Sequence, residues 1–341
     1  MILLRIGLIL FTVTFLMAEA GPQDILQVGF WNVENLFDTT DAELKRDDDF
    51  TPSGKYEWTE ERLQKKLQYL SRVISDIASD NDLALLGLSE IENFSVLNRL
   101  NVDFLKSGMK IIHKESPDER GIDCGLLYDP SKLTLVDQAF LTIYLAGEEK
   151  TRDIIEARFE MTGSHKSSPL YVFINHWPSR WGGQAQTDPL RRTTARTLRT
   201  RIDQILTKSP QADIIVLGDF NDYPSDPSLN EDLSAKAAGP HLYPGDMINT
   251  MFELHNDPSR GTVMYRGDWT VLDQIIISQG MRDTNGFDWV FGSTKTFMQN
   301  YLLESDGKFA GWPFRMYRGT QYQGGYSDHL PILCKLSFSN F

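Results

Sequence analysis

The segment Ile214-Ile215-Val216-Leu217-Gly218-Asp219-Phe220-Asn221-Asp222 constrains this chain more than any other. Four β-favouring apolar residues in succession predict a strand buried on both faces. Its end delivers a carboxylate and an amide two residues apart, and the pleat points both the same way. A carboxylate beside a carbonyl oxygen suits a hard divalent cation or the orientation of an attacking water. On its own, Asp-x-Asn after a strand is an ordinary Asx turn. Here it does not stand alone.

Other apolar runs meet polar residues in the same way. Val28 to Trp31 ends in Asn32, with Glu34 and Asn35 just beyond. Leu83 to Leu88 ends in Ser89-Glu90, and Leu170 to Ile174 ends in Asn175-His176. Near the C-terminus the order inverts, and Ser327-Asp328-His329 precedes the strand-like Leu330 to Cys334. A further predicted strand, Val271 to Ile277, carries Asp273 inside it, where a charge needs a partner or a cation. Polar groups at strand ends of a layered α/β fold converge on one rim, and sites form there. The converging set of amides, carboxylates and imidazoles is the inventory of a divalent cation plus an acid/base pair.

In order and wording these segments resemble the endonuclease/exonuclease/phosphatase superfamily. Trp31-Asn32 resembles its first motif, Glu90 its metal-binding glutamate, and Asn175-His176 its central histidine. Gly218-Asp219-Phe220-Asn221 is similar to its Gly-Asp-Phe-Asn signature, Asp273 to its late acidic residue, and Ser327-Asp328-His329-Leu330-Pro331 to its closing motif. The resemblance spans Val28 to Leu336. It implies an α/β four-layer sandwich, two packed mixed β-sheets flanked by helices in the deoxyribonuclease I-like manner. Two helical stripes agree with that layout. Leu63, Leu67, Leu70, Val73, Ile74 and Ile77 repeat at helical spacing behind a Thr59 N-cap, and residues 190–206 repeat the pattern.

The resemblance also implies a chemistry. Glu90 is the first-choice ligand for Mg²⁺ (or Mn²⁺ or Ca²⁺), with Asn32, Asp273 and Asp328 completing the metal set. Asp219 orients or deprotonates the water, and Asn221 and Asn35 contact the phosphate. His329, held by Asp328, supplies an acid/base imidazole, and His176 a second one that donates to the phosphate or leaving group. All of these residues are present, which argues against a catalytically silent binding protein on the same scaffold. His113, His165, His241 and His255 match no motif and read as surface or structural.

Processing and charge set further bounds. Arg5, the apolar stretch Ile6 to Met17 and Ala18-Glu19-Ala20 form a signal-peptide pattern over residues 1–20. The expectation is therefore an exported chain, secreted or periplasmic, with residues 21–341 as one domain, a monomer with no membrane span. Two cysteines, Cys124 and Cys334, each in an apolar run, read as buried thiols or, in an exported chain, one bridge. The formal charge of −13 opposes non-specific attraction to polyanions unless charge is segregated. Arg191, Arg192, Arg196, Arg199 and Arg201 crowd one predicted helix, as a track for a nucleic-acid backbone or as a solvated face. Arg180 is either a phosphate clamp or a surface residue. Trp31, Trp177, Trp181, Trp269 and Trp312 fall near motif loops and could wall a pocket. Nucleic acid is the expected substrate; the alternative is a small phosphoester such as an inositol phosphate or sphingomyelin.

Overall fold

A computed structural model describes residues 24–147, 150–164 and 168–339. The expected signal peptide and His165 lie outside the described residues. Among the described residues, eighteen strands appear in chain order. They are β1 (Asp24–Leu36), β2 (Leu83–Ile91), β3 (Lys110–His113), β4 (Asp123–Tyr128), β5 (Leu133–Leu141), β6 (Ile154–Met161), β7 (Leu170–His176), β8 (Asp213–Asp219) and β9 (Ala235–Ala237). The series continues with β10 (Met247–Asn249), β11 (Val263–Tyr265), β12 (Asp268–Thr270), β13 (Asp273–Ile277), β14 (Gly286–Trp289), β15 (Lys295–Thr296), β16 (Tyr317–Arg318), β17 (Gln321–Tyr322) and β18 (Ile332–Ser339). Helices α1 (Glu60–Ile77), α2 (Phe94–Arg99) and α3 (Gln184–Lys208) matter below.

β11-β12 and β16-β17 form two-stranded ribbons, and the other fourteen strands form two seven-stranded sheets. One runs β14-β18-β1-β2-β4-β3, with β15 also on β18; the other runs β5-β6-β7-β8-β13-β10-β9. Both are mixed, because β1 pairs parallel with β2 and β7 parallel with β8 amid antiparallel neighbours. Alternation along each strand builds the layers. On β8, Ile215 and Leu217 face the core shared by the sheets, together with Val28 and Phe30 of β1. Ile214 and Val216 face outward onto Leu198 and Ile202 of α3, while Trp31 and Leu88 face Leu63 and Leu67 of α1. Helix, sheet, sheet, helix is the four-layer sandwich. Burying both faces of the central strands explains their continuous apolar runs.

Local signals hold well for α1, where Thr59 caps as expected and accepts a hydrogen bond from Arg62 N at 3.4 Å. Helix α3 begins at Gln184, before the expected 190, and carries Pro189 inside it. Asp273 opens β13 at its first residue and is not interior to a longer strand, which brings its carboxylate to the rim. Cys124 and Cys334 are separate buried thiols, so the bridge is excluded; burial pushes both thiols up in pKa. Among the described residues no helix is long and apolar enough to cross a membrane.

Asp213 opens β8 and is fully buried; its Oδ2 accepts from Phe287 N at 2.9 Å, and its Oδ1 has no hydrogen-bond partner. Burial pushes its carboxyl up to about 7 from the ordinary 3.8. Between these values the folded chain holds a proton that the unfolded chain has released. The contribution of this site is therefore complete below the lower value and is lost as pH rises through the upper one. Asp213→Asn keeps the acceptor and removes the charge. Thermal denaturation at pH 8 should show the variant more stable by about 1–3 kcal/mol, with the gap closing near pH 4. Equal melting at pH 8 would show that the carboxylate carries no burial penalty.

Candidate active site

The rim forms where the ends of both sheets meet. Register places His176 of β7 beside Asp219 of β8, and Asp219 opposite Asp273 of β13. From the other sheet come Asn32 of β1 and Glu90 of β2. Asn32 Nδ2 spans the gap, donating to Glu90 Oε1 at 3.3 Å and to Asp219 Oδ2 at 3.1 Å. His176 Nε2 lies 3.7 Å from Asp219 Oδ2 and 3.9 Å from Glu90 Oε1. His329 Nδ1 bonds Asp273 Oδ2 at 2.8 Å, and its Nε2 stands 3.8 Å from Asp219 Oδ2. Residues far apart in sequence are thus gathered around one carboxylate, Asp219.

Strained backbone marks the same rim. Glu34, Asn35, Glu90 and Asn221 all have positive φ, between 52° and 62°. Non-glycine residues persist there only where surrounding structure holds them. Glu90 sits where the β1–β2 and β2–β4 registers both shift. Its Oε2 accepts from Asn35 N at 2.8 Å. Asn221 N donates to Asp219 Oδ1 at 3.0 Å, and its side chain donates to Trp177 O at 3.1 Å. The Asx turn and the site are one feature here.

Several expected roles change. Asp328 does not hold His329: its Oδ2 takes a 2.7 Å hydrogen bond from Arg315, and Asp273 is the partner of the imidazole. The two side chains are sequence neighbours and diverge, so adjacency in the motif misled. Asp328 is accordingly set apart from the donor cluster, whose close members are Asp219, Asp273 and His329. The amide oxygen of Asn32, expected to face a cation, accepts from Glu34 N at 3.0 Å. Asn35 Oδ1 accepts from Arg120 at 2.9 Å. Arg180 is not a free phosphate clamp; it donates to Asn221 O at 2.6 Å, to Asp222 at 3.0 Å and to Asp226 at 2.6 Å.

The arginine row on α3 is likewise committed. Arg191 is buried against Asp222, Arg192 pairs with Glu231 and Asp232, and Arg196 with Asp232. Arg199 pairs with Asp203 and Arg201 with Glu156. Row and loop carboxylates neutralise each other, so no track for a polyanion runs along this helix. Trp31 and Trp177 are fully buried, whereas Trp181 is 90% exposed.

Sequence reasoning missed four cations. Arg152 is buried and clamps the turn after β7, bonding His176 O at 3.2 Å, Trp177 O at 2.6 Å and Asp118 at 3.1 Å. Arg120 and Arg315 line the cleft above the rim. Lys66 is fully buried on α1 and donates to Tyr326 O at 2.5 Å. It falls within the apolar stripe that begins at Leu63, which is the signal that marks it. The loops carrying Arg120 and Arg315 have no such periodicity.

The electrostatics divide the two imidazoles. Burial, then the nearby Arg152, Arg120 and His329, holds His176 well below the usual histidine range. Burial works the same way on His329, but Asp273, Asp219 and Asp328 outweigh it and raise its pKa well above that range. Burial raises Asp219, opposed by His329 and reinforced by Asp273. Glu34 is raised by burial and Asp328 against the pull of Lys66 and Arg315. The rim therefore combines a neutral imidazole, a cationic one and a carboxylate of elevated basicity.

A model of the Endonuclease/Exonuclease/phosphatase family matches residues 27–337. The chain belongs to this family. Enzymes of the family are divalent-metal-dependent phosphoester hydrolases. The solved structures agree on the fold. D. rerio TDP2 carrying 14 humanizing mutations is 14% identical with a TM-score of 0.54, over 92% of this chain and 99% of that one. The human Nocturnin catalytic domain with bound sulfate is 16% identical with a TM-score of 0.53, over 93% and 98%. A family protein from Bacteroides thetaiotaomicron is 13% identical with a TM-score of 0.52, over 94% and 100%. No curated protein sequence matches the chain.

The donor set fits the family's cation. Carboxylate oxygens of Asp219 and Asp273 lie within 4.8 Å of each other, and Asp273 Oδ1 is buried without a hydrogen-bond partner, while His329 is engaged on Asp273 Oδ2 as a neighbour of the pair and not as a ligand. An orphaned buried carboxylate oxygen is costly unless charge compensates it.

Because Asp273 and His329 form one hydrogen-bonded unit, their losses should not add. Asp273→Asn should lower turnover about 10²–10⁴-fold, His329→Ala by a similar factor, and the double variant little further. Asp328→Asn should instead add independently to His329→Ala. A kinetic cycle over both pairs checks this; additivity in the first and coupling in the second would restore Asp328 as the orienting group.

Proposed function

We propose that the protein is an exported, divalent-metal-dependent phosphodiesterase that cleaves nucleic acid at unpaired strands. The single supporting observation is the cleft above the rim, about 1110 Å³ in volume. That is more than a small phosphoester needs. Two exposed rings from separate segments line it, Trp181 (90% exposed) from the loop before α3 and Tyr265 (56% exposed) from β11. Arg266 and Gly267, both at positive φ, form the two-residue turn of the β11–β12 hairpin. This turn carries Arg266 beside Tyr265, and Arg266 makes no ion pair among the described residues. Aromatic faces that stack on any base, with a cation for the backbone, describe a single-strand platform. A D. rerio TDP2 of the same fold has been crystallised with a single-stranded DNA product, which supports this reading. Export rests on the N-terminal pattern over residues 1–20.

In this proposal Glu90 and Asp273 would hold Mg²⁺ or a similar hard cation, which supplies charge neutralisation at the phosphate. Asp219, with its Oδ2 3.7 Å from His176 Nε2 and 3.8 Å from His329 Nε2, orients the attacking water and accepts its proton. His329, oriented by its Nδ1 hydrogen bond to Asp273, stabilises the charge that develops on the phosphoryl oxygens. His176, kept neutral, donates one hydrogen bond through Nε2. Its Nδ1 is buried with no hydrogen-bond partner, so nothing there competes for the proton. Asn32 fixes the spacing of Glu90 and Asp219. Asn221 holds the Asp219 turn, Arg180 locks that turn through Asp222 and Asp226, and Asn35 anchors Arg120 at the mouth of the cleft.

Cleavage of a single-stranded oligonucleotide should be favoured over its duplex. Trp181→Ala and Tyr265→Ala should each raise KM about 10-fold or more, from the 1–3 kcal/mol that base stacking contributes. Turnover of a small chromogenic phosphodiester should be unchanged in both. The triple variant at Arg192, Arg196 and Arg199 should keep the native salt dependence, since those groups are already paired. Equal turnover of duplex and single strand, indifferent to both rings, would overturn the preference for unpaired strands, and negligible cleavage of either beside robust turnover of a small phosphoester would move the assignment to that class.

A further inference from the structure

Away from the rim, the β3–β4 connection gathers three unused ligating side chains. The register pairs His113 with Gly125, and β3 ends at His113, two residues before Glu115, while β4 begins at Asp123, two residues before Gly125. The two-residue period places His113 and Glu115 on the same face. Donor atoms of His113, Glu115 and Asp123 all lie within 4.8 Å of one another. Two carboxylates held this close repel each other unless a proton or a cation lies between them. Burial and Asp123 both raise the Glu115 carboxyl, with His113 and Lys45 pulling the other way.

The second observation is at the buried end of the cluster. His113 and Asp123 side chains are each only 1% exposed, and His113 Nε2 and Asp123 Oδ2 have no hydrogen-bond partner. These two atoms stand 3.5 Å apart without the geometry of a hydrogen bond. That is close to the separation of about 3.4 Å between two ligands on a tetrahedral cation with bonds of about 2.1 Å. Asp123 Oδ1 is already engaged by Ser116 N at 2.9 Å, which orients the carboxylate and leaves Oδ2 as its free donor. Lys45 Nζ is held by Ser116 O and Asp118 O at 2.9 and 2.8 Å, so it braces the loop.

We propose that His113, Glu115 and Asp123 form a second metal site, distinct from the catalytic rim, for a borderline divalent transition cation such as Zn²⁺. An imidazole with two carboxylates suits Zn²⁺ better than Mg²⁺ or Ca²⁺, which take oxygen ligands. The site ties the start of β4 to the end of β3. Asp123 pairs with Ile91, the residue after Glu90, across the register shift in β2. The same loop carries Asp118, which binds Arg152, and Arg120, which binds Asn35 at the cleft. A cation here sets the shape of that loop and takes no part in the chemistry.

The test is Zn²⁺ binding by the full chain, measured by competition with a chromophoric chelator and by thermal shift. Native protein should bind one more equivalent of Zn²⁺ than His113→Gln or Asp123→Asn. The variants should retain the equivalents that belong to the rim and their Mg²⁺-dependent turnover. Glu115 is exposed, so Glu115→Gln folds regardless; it should weaken the extra equivalent at least 10-fold while leaving metal-free melting equal or higher. Identical stoichiometry in native protein and all three variants would overturn the proposal. So would Zn²⁺ raising the melting temperature of native and Glu115→Gln protein equally, which would leave a proton shared between carboxylates as the occupant.

Discussion

Two sheets packed on one apolar core bring the ends of β1 and β2 against the ends of β7, β8 and β13, and every feature of the site depends on that registration. Val28 and Phe30 from one sheet meet Ile215, Leu217 and Ile275 from the other. Side chains in such a core are close-packed and tolerate little displacement. A one-residue slip in β8 would turn Asp219 away from the rim and Leu217 out of the core together. The hydrogen bond from Asn32 to Asp219 reports this alignment directly, since its two partners belong to different sheets.

The cost of gathering acidic groups at the rim is offset locally. Glu90 and Asp219 are held by backbone and amide donors and Asp273 by the His329 imidazole, with Arg152, Arg315 and Lys66 behind them. A buried charge left unpaired is strongly destabilising, which explains why cations from unrelated loops converge here. The same economy explains the fate of α3. Its arginines face Asp222, Glu231, Asp232, Asp203 and Glu156, so a chain of net charge −13 uses its positive charge internally. In the proposed function, substrate contact falls instead to exposed rings and to Arg266 at a hairpin tip.

The legible part of the sequence was the part fixed by period and position. The runs ending in Asn32, Glu90, His176 and Asp219 read as strands because burial on both faces demands continuous apolar residues. The helix after Thr59 read from its cap and stripe. Asp328 and Arg180 were misassigned because their partners, Arg315 and Asp226, lie in loops that no periodicity locates. The α3 row showed its charge but not most of the carboxylates opposite, which come from Glu156 on β6, Asp222 after β8, and Glu231 and Asp232. Tertiary pairing, not local pattern, decided each of these cases.

The central claim is that the rim is a metal-dependent phosphodiester-cleaving centre organised around Glu90 and Asp219. The most direct measurement is single-stranded oligonucleotide cleavage titrated with Mg²⁺ after EDTA treatment, for native protein and Glu90→Gln. Native turnover should vanish with EDTA and return with Mg²⁺, whereas Glu90→Gln should need at least about 10-fold more Mg²⁺ and recover only in part, as loss of a carboxylate ligand demands. Superimposable Mg²⁺ curves for the two proteins, or turnover that survives EDTA, would contradict the account.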